Sequence, residues 1–293
     1  MIERILVPTD FSDHSALALR HASELARLFG AELRLFTAPF LPPVWVAEGM
    51  APIPDEYRVA AREQASADLE KLAQPLREAG IRVSCSVSME HPASAIRALA
   101  TSWPADLVAM GTHGRSGIPH ALLGSIAERT VRLVAAPVLT VRADAGEPRP
   151  IRNVLVATDF SADARRALEW AVALAGRVSA RVSLVHAVAL PVAFGEEELV
   201  LESVTAAQWA AQQAARGKLE RLRAEHSAVA GEVSVEPGHP DGVILDVARR
   251  LKSDLIVLGT RGRSGLGHVL LGSTAERVLR RAPVPVVVLK AGA

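Results

Sequence analysis

One glycine pattern occurs twice in this sequence, and the repeat constrains the fold more than any other feature. Gly-x-x-Gly-x9-Gly-Ser spans Gly111 to Ser125 and again Gly259 to Ser273. Eleven of the fifteen positions are identical between the two copies. In both copies an apolar run typical of a buried strand precedes the loop, and a helical stretch follows it. The repeat therefore predicts two equivalent domains, each with a strand that leads through a glycine loop into a helix.

The composition of this loop favours binding of a phosphate group. Glycine permits positive φ and a close approach of the main chain to a ligand, and a helix N-terminus offers unpaired N–H donors to an anion. A second interpretation stays open: Ser125 and Ser273 each precede a glutamate by three residues, the capping-box pattern, so the serine would only cap a helix. Neither copy has the lysine of a Walker loop or the glycine spacing of a dinucleotide fingerprint, which disfavours NAD and the standard phosphate-loop mechanism.

The length of 293 residues suits two domains of roughly 150 residues, each with its own core. We predict domains at residues 1–143 and 151–291. The segment between them, near Asp144 to Pro150, is polar and rich in proline and glycine, which is typical of a short, stiff linker.

Charge and hydropathy exclude several classes of function. The net charge is +1, and the arginines alternate with acids instead of forming a basic stripe, so nucleic-acid binding is not expected. No apolar run reaches membrane-spanning length and no signal-peptide pattern is present, which predicts a soluble cytoplasmic protein without membrane association. The single cysteine, Cys85, lies in a strand-like stretch and is interpreted as an ordinary structural residue.

Strands alternate with helices in each half, which predicts an α/β fold with a mainly parallel, helix-covered sheet. The first helix is expected to start after an N-cap at Ser12 and to end at Gly30, and Pro92 and Pro240 fit first helical positions. Irregular inserts are expected at Pro39 to Pro54 and at Val188 to Leu199, as exposed connections or lids. Strands of the first half are predicted near Ile5–Pro8, Glu32–Thr37, Ile81–Val87, Leu107–Gly111 and Val138–Val141.

An aspartate ends the first strand of each half, Asp10 in one and Asp159 in the other. In an open parallel sheet, ligands bind beyond the carboxyl ends of the strands, where the strand order reverses. If the order is 3-2-1-4-5, the aspartate and the glycine loop face one crevice. A carboxylate accepts hydrogen bonds from amino or hydroxyl groups, so an adenine nucleotide satisfies both ends. The alternative is that both aspartates only stabilise the turn and cap the next helix.

These residues resemble the universal stress protein family, specifically its ATP-binding branch in a tandem two-domain form. The glycine pattern after the fourth strand, together with Pro-Thr-Asp-Phe-Ser after the first, carries the resemblance over nearly the whole chain. The resemblance implies two five-stranded parallel domains of order 3-2-1-4-5, with an adenine nucleotide alpha hydrolase-like fold. It also implies binding of ATP, usually with Mg²⁺, dimerisation through the last strand, and a stress-linked regulatory role instead of a fixed reaction.

The family's nucleotide contacts transfer to this chain position by position. Around the adenine, the resemblance implies Asp10 and the backbone near Pro8 and Thr37. For the ribose and phosphates it implies Met110, Gly111, Gly114, Gly124, Ser125 and Ile126. In the second half it implies Ala157, Asp159, Ala187, Leu258, Gly259, Gly262, Gly272, Ser273 and Thr274.

Three functions remain open on the sequence alone. The first is a nucleotide-binding stress regulator with one site per domain and no catalytic residues or metal ligands of its own. The second is a slow ATPase or phosphotransferase, although the loop motif contains no carboxylate for a metal. The third is an interaction scaffold without nucleotide. The apolar last strands also predict self-association, as an intramolecular pseudo-dimer or a homodimer.

Overall fold

The computed structural model describes residues 2–39, 44–46, 49–51, 53–112, 123–188, 198–260 and 271–290. The chain divides into two compact units, Met1–Pro148 and Arg149–Ala293. Each unit is an α/β domain with a five-stranded parallel sheet and flanking helices, which confirms the predicted fold class. The residue limits 1–143 and 151–291 stay predictions.

The first unit contains seven strands and four α-helices in its described ranges. They are β1 (Arg4–Pro8), α1 (Asp13–Phe29), β2 (Glu32–Thr37), β3 (Val44–Val46), β4 (Gly49–Ala51), α2 (Asp55–Glu78), β5 (Val83–Val87), α3 (Pro92–Ser102), β6 (Leu107–Gly111), α4 (Ser125–Leu133) and β7 (Val138–Val141). A short 3₁₀ turn, Ala143–Ala145, follows.

The described ranges of the second unit repeat this order and contain no counterpart of the small antiparallel pair. Its elements are β8 (Asn153–Ala157), α5 (Ala162–Val178), β9 (Arg181–Val188), α6 (Glu198–Glu225), β10 (Val233–Pro237), α7 (Pro240–Arg250), β11 (Leu255–Gly259), α8 (Ser273–Arg281) and β12 (Val286–Leu289).

Within each unit the strand order is 3-2-1-4-5, as predicted. In the first unit it runs β5-β2-β1-β6-β7, and in the second β10-β9-β8-β11-β12. The central strands are apolar and buried on both faces, as parallel strands between helical layers must be. The first strand of each unit therefore lies between the second and the fourth, and the strand order reverses beside it.

Local sequence signals explain where the helices begin and end. The Ser12 side chain accepts a hydrogen bond from the Ser15 N–H, and Gly30 ends α1 with φ of 65°. Both features match the prediction, because serine satisfies an orphan N–H and glycine tolerates the left-handed conformation. Pro92 and Pro240 occupy the first turns of α3 and α7, where a missing N–H costs nothing.

The joint between the units is attached to the first unit. The Arg20 guanidinium donates two hydrogen bonds to the Glu147 carboxylate, at 2.7 and 3.0 Å. His21, also on α1, contacts the Gly146 carbonyl oxygen at 3.1 Å. These contacts fix Gly146 and Glu147 against α1, while the stiffness of the whole linker stays a prediction.

The insert after β2 is less irregular than the sequence suggests. Within Pro39 to Pro54, β3 and β4 pair antiparallel, with Trp45 opposite Met50. In the second unit, β9 continues through Val188, so the strand takes up the first residue of the predicted insert.

Candidate functional site

The carboxyl ends of the first two strands are held together in the same way in both units. The Thr9 N–H donates to the Phe36 carbonyl oxygen at 2.8 Å, and the Thr158 N–H donates to the Val185 carbonyl oxygen at 3.0 Å. The next residue in each unit is the aspartate predicted from the sequence. Because the strand order reverses here, Asp10 and Asp159 lie at the edge where α/β sheets bind ligands.

Each aspartate organises the turn that follows it. Asp10 Oδ1 accepts hydrogen bonds from the Ser12 N–H at 3.2 Å and the Ser12 hydroxyl at 2.6 Å. Asp159 Oδ1 accepts from the Ser161 N–H at 3.0 Å. The turn-stabilising role is therefore confirmed, while a nucleotide contact by these carboxylates stays a prediction.

The same turn contains a strained residue in both units. Phe11 has φ of 63° and Phe160 has φ of 66°, a left-handed conformation that is unfavourable for a bulky side chain. The threonine two residues earlier holds it, because Thr9 Oγ1 accepts from the Phe11 N–H and Thr158 Oγ1 from the Phe160 N–H, each at 3.0 Å. Strain kept at matching places is typical of binding sites, where the surrounding structure fixes the backbone.

The two ends of each glycine loop meet at its base. The Gly124 N–H donates to the Thr112 carbonyl oxygen, and the Gly272 N–H donates to the Thr260 carbonyl oxygen, both at 2.8 Å. These bonds place the first turn of α4 beside the end of β6, and the first turn of α8 beside the end of β11. The loop interiors, residues 113–122 and 261–270, lie outside the described residues, and with them Gly114 and Gly262.

The first glycine of each loop is required by packing. A Cβ at Gly111 would lie 2.9 Å from the backbone carbon and oxygen of His14, in the first turn of α1. A Cβ at Gly259 would lie 2.7 Å from Asp163 Cβ and 2.9 Å from the Ala164 nitrogen. Both distances are too short for a real Cβ. The helix after the first strand can therefore pack on the fourth strand only because these positions lack side chains.

The last glycine of each loop, and not the serine, is the helix N-cap. Gly124 and Gly272 hold this position with φ of −58° and −62°, and among the described residues no side chain caps either helix. Ser125 and Ser273 are the first helical residues and are exposed. The capping-box interpretation of these serines is therefore wrong. The first turns of α4 and α8 present N–H groups that no described side chain caps, as an anion site requires.

Other predicted contact residues line the same edge. Pro8 and Ala157 end β1 and β8, and Ala157 pairs with Leu258. Met110 and Leu258 are 5% and 3% exposed, so their side chains belong to the core and only their main chain can face a ligand. Ile126 is 39% exposed and Thr274 half-buried, both in the second position of their helices.

The sequence pairing of Thr37 with Ala187 is wrong by one residue. The matched bonds to Phe36 and Val185 show that Thr37 corresponds structurally to His186, and Ala187 to Ala38. The offset that relates Asp10 to Asp159, 149 residues, also relates Thr37 to His186, so keeping that offset to the end of the second strand would have given the correct pair. Aligning the ends of β2 and β9 on their apolar alternation would have identified His186.

His186 gives the second unit a different surface beside the aspartate. His186 Nδ1 lies 2.7 Å from the Thr158 carbonyl oxygen, so the ring nitrogen donates the hydrogen bond. The imidazole also packs on Phe160, with ring centroids 4.7 Å apart. On the same phenyl ring, Lys218 Nζ lies 5.2 Å from the centroid. In the first unit, Thr37 is buried at the His186 position.

A histidine–arginine pair joins the third and fourth helices of each unit, and sequence reasoning did not find it. An Arg129 Nη donates to His91 Nε2 at 3.2 Å, and an Arg277 Nη contacts His239 Nε2 at 2.9 Å. His91 and His239 are the N-cap residues of α3 and α7. No local pattern predicts this pair, because its members are 38 residues apart.

In the second unit this pair surrounds a buried carboxylate. Asp241 hydrogen-bonds His239, and its Oδ1 lies 3.5 Å from Arg277 while its Oδ2 accepts from Arg281 at 3.0 Å. Burial opposes ionisation, but the hydrogen bond from His239 and the charges of His239 and Arg277 hold the pKa of Asp241 below its ordinary value. The carboxylate is therefore ionised and neutralises part of the local positive charge.

Cys85 has the chemistry expected of a structural thiol. Burial, and then the neighbouring Glu70 carboxylate, raise its pKa to about 11. A thiolate is the reactive form, so this cysteine is a poor nucleophile at neutral pH.

The described ranges contain no group of three or more His, Cys, Asp or Glu residues that could bind a metal ion. Of the helices within those ranges, none combines the length and hydropathy needed to cross a bilayer.

Comparison with known proteins matches one protein family to both halves of the chain. The model of the Universal stress protein family matches residues 1–142 and 150–290. Universal stress protein MJ0531 of Methanocaldococcus jannaschii is 33% identical over 144 residues, covering 48% of this chain and 83% of that protein. A relative from Thermus aquaticus, named as a universal stress protein, is 34% identical over 147 residues, covering 47% of this chain and 98% of that protein.

A solved structure extends this likeness to the full length. The crystal structure of a universal stress protein from Archaeoglobus fulgidus matches with a TM-score of 0.74 at 25% identity, covering 100% of this chain and 97% of that chain. The strand order, the repeated glycine loop and the two family matches agree. The chain is a tandem, two-domain member of the universal stress protein family.

Proposed function

We propose that each unit binds one adenine nucleotide, ATP in particular, at the carboxyl edge of its sheet. One observation carries the proposal. In both units, the hydrogen bond at the loop base holds a helix N-terminus beside the strand-order reversal, where the aspartate turn also lies, and no described side chain caps that terminus. An anion-binding end and a hydrogen-bond-accepting end therefore share one edge.

ATP suits both ends of this edge. Its polyphosphate complements the N–H groups of Ser125 and Ile126 in the first unit, and of Ser273 and Thr274 in the second, beside the glycines that close each loop. Its adenine amino group and ribose hydroxyls are donors for Asp10 and Asp159. Hydrogen bonds to charged groups contribute about 1.5 to 3 kcal/mol each. Several of them suffice for micromolar affinity, about −8 kcal/mol, after the cost of association.

Mg²⁺ would enter this site with the nucleotide. Magnesium keeps several waters and binds chiefly to substrate phosphates with few protein carboxylates. The role proposed for the protein is a regulatory one in the stress response, in which occupancy by nucleotide is the signal.

Calorimetric titration with ATP and Mg²⁺ tests the proposal. The wild type is compared with Gly114→Val and Gly262→Val, each designed to block one loop, and with Gly176→Ala, whose new Cβ would meet no atom within 4 Å. We expect about two nucleotides per chain in the wild type and the Gly176 variant, and about one in each loop variant. No measurable binding by the wild type would refute the proposal.

Phosphate release measured on the same samples separates the regulator from the slow ATPase. Binding without sustained release supports the regulator. Release that both loop substitutions reduce would favour the ATPase. Pairing of units through the last strands, β7 and β12, remains a proposal from the sequence.

A further inference from the structure

The histidine–arginine pair lies at the ligand edge of each unit. The helices α3 and α4 follow β5 and β6, so both begin at the carboxyl edge of the parallel sheet, and they pack against each other. His91 is the N-cap of α3, and Arg129 lies four residues after Ser125 on α4. Helical side chains tilt toward the N-terminus, and residues four apart share a face. The Arg129 side chain therefore extends back toward the first turn of α4.

The two units differ in what surrounds this arginine. In the first unit, Arg129 is exposed and its described contact is the His91 ring nitrogen, which carries no negative charge. In the second unit, Arg277 contacts the Asp241 carboxylate at 3.5 Å as well as His239. Asp241 is replaced by the buried Ala93 in the first unit, and its second arginine partner, Arg281, is replaced by Leu133.

Resting on the function proposed above, we propose that Arg129 is an additional phosphate-binding residue of the first unit. In the second unit, the ion pair with Asp241 keeps the corresponding Arg277 from binding the phosphates. The first unit then binds polyphosphates more tightly. Arg129, which has no carboxylate partner in the part of the chain that the structure describes, can turn its charge to a phosphate, whereas Arg277 must first give up an ion pair with a carboxylate that has little access to water.

The contrast depends on position as well as on total charge. The extra Arg281 balances Asp241 in number, so a count of charges predicts equal sites. However, Arg281 donates to Asp241 Oδ2 at 3.0 Å, and Asp241 is 4% exposed. Arg277 and Arg281 are therefore both paired with the Asp241 carboxylate, which competes with a bound phosphate for their charge.

The test measures each site alone in the full-length chain. The Gly262→Val background leaves the first site, and the Gly114→Val background leaves the second. In the first background, Arg129→Ala is expected to weaken ATP binding by about tenfold, with the effect falling from ATP to AMP and vanishing for adenosine. Arg97→Ala removes an exposed arginine farther along α3 and is expected to change the affinity by less than about twofold.

In the Gly114→Val background, the second site is tested by giving it the residues of the first. Arg277→Ala alone is expected to change ATP affinity by less than about threefold. Asp241→Ala with Arg281→Leu gives the second unit the residues of the first, and is expected to tighten ATP binding by about five- to tenfold. Adding Arg277→Ala to that pair is expected to abolish the gain.

The outcomes separate this inference from the proposed function. If neither site binds ATP, both fail. If ATP binds but Arg129→Ala leaves its affinity unchanged while the Asp241→Ala, Arg281→Leu pair brings no gain, only this inference fails. An equal loss for adenosine and ATP would also overturn it, because it would show a structural role in place of a phosphate contact.

Discussion

The two units have the same close backbone packing at the glycine loops. They differ on either side of these loops, at Thr37 or His186 and at the surroundings of Arg129 or Arg277. Each loop is closed by a 2.8 Å bond from its last glycine to the carbonyl oxygen of a buried threonine, Thr112 or Thr260. Each first glycine lies against the helix that follows the first strand. These contacts join main chain to main chain, so few side chains are compatible with them. The comparison teaches that the loop motif records packing as well as ligand binding.

The side of the proposed crevice where the adenine would bind differs between the units. Thr37 is buried in the first unit, while His186 in the second packs on Phe160 and donates to the Thr158 carbonyl oxygen. Leu69 and Leu219 are both fully buried and correspond on α2 and α6, which aligns Asp68 with Lys218. The helix position that holds a carboxylate in the first unit therefore holds the cation that lies 5.2 Å from the Phe160 ring centroid in the second.

The largest expected effect tests what the units share. Gly111→Ala and Gly259→Ala each force a Cβ into the backbone of the neighbouring helix, and we expect each to lower the free energy of unfolding by about 3 kcal/mol without nucleotide. Scanning calorimetry measures the loss. Gly176→Ala, in the open on α5, is expected to stabilise by about 0.5 to 1 kcal/mol. If Gly111→Ala left the free energy of unfolding unchanged and lowered only the affinity for ATP, ligand binding and not packing would explain the glycine at this position.

A smaller effect is expected from exchanging His186 for the threonine found at the corresponding position of the first unit. His186→Thr introduces the residue of the first unit, removing a hydrogen bond and an aromatic contact. We expect the second unit to lose about 2 kcal/mol of stability and its transition to move to lower temperature. The first unit keeps its transition in the same calorimetric scan. An unchanged second transition would mean that His186 does not support the turn that carries Asp159.

The smallest expected effect uses pH and the carboxylate of the second unit. The folded pKa of Asp241 lies below its ordinary value of 3.8, so its ionised form stabilises the folded state above about pH 4. This contribution disappears as the pH falls through the folded pKa. Asp241→Ala is therefore expected to cost about 1.5 kcal/mol at neutral pH, and the gap to the wild type should close in acid. Denaturant titrations between pH 7 and pH 2 measure the gap; one that stays constant would contradict the assignment.

Much of the fold follows from local sequence. The strands β1, β6 and β7 are mainly apolar runs and β2 alternates polar with apolar residues, and the predicted limits of all four agree with the structure within one residue. Ser12 and Gly30 mark the ends of α1 because capping depends on the residue itself and its immediate neighbours. The strand order and the place of Asp10 came from the family resemblance and the rule for parallel sheets.

The candidate site was predicted less completely, because several of its features depend on residues far apart in the chain. Ser125 fits the capping-box pattern, yet the bond from Gly124 to Thr112 fixes the glycine as the N-cap. The pair of His91 with Arg129 joins residues 38 positions apart on different helices, which no local pattern predicts.

The sequence by itself determined the duplicated α/β fold and the edge of each sheet where a ligand is expected, since periodicity and caps are local properties and the repeat is visible in the order of the residues. Only the tertiary structure decided why Gly111 cannot carry a side chain, and which partner Arg129 or Arg277 meets. Those answers depend on helices and strands that come together through packing, over separations that no sequence pattern encodes.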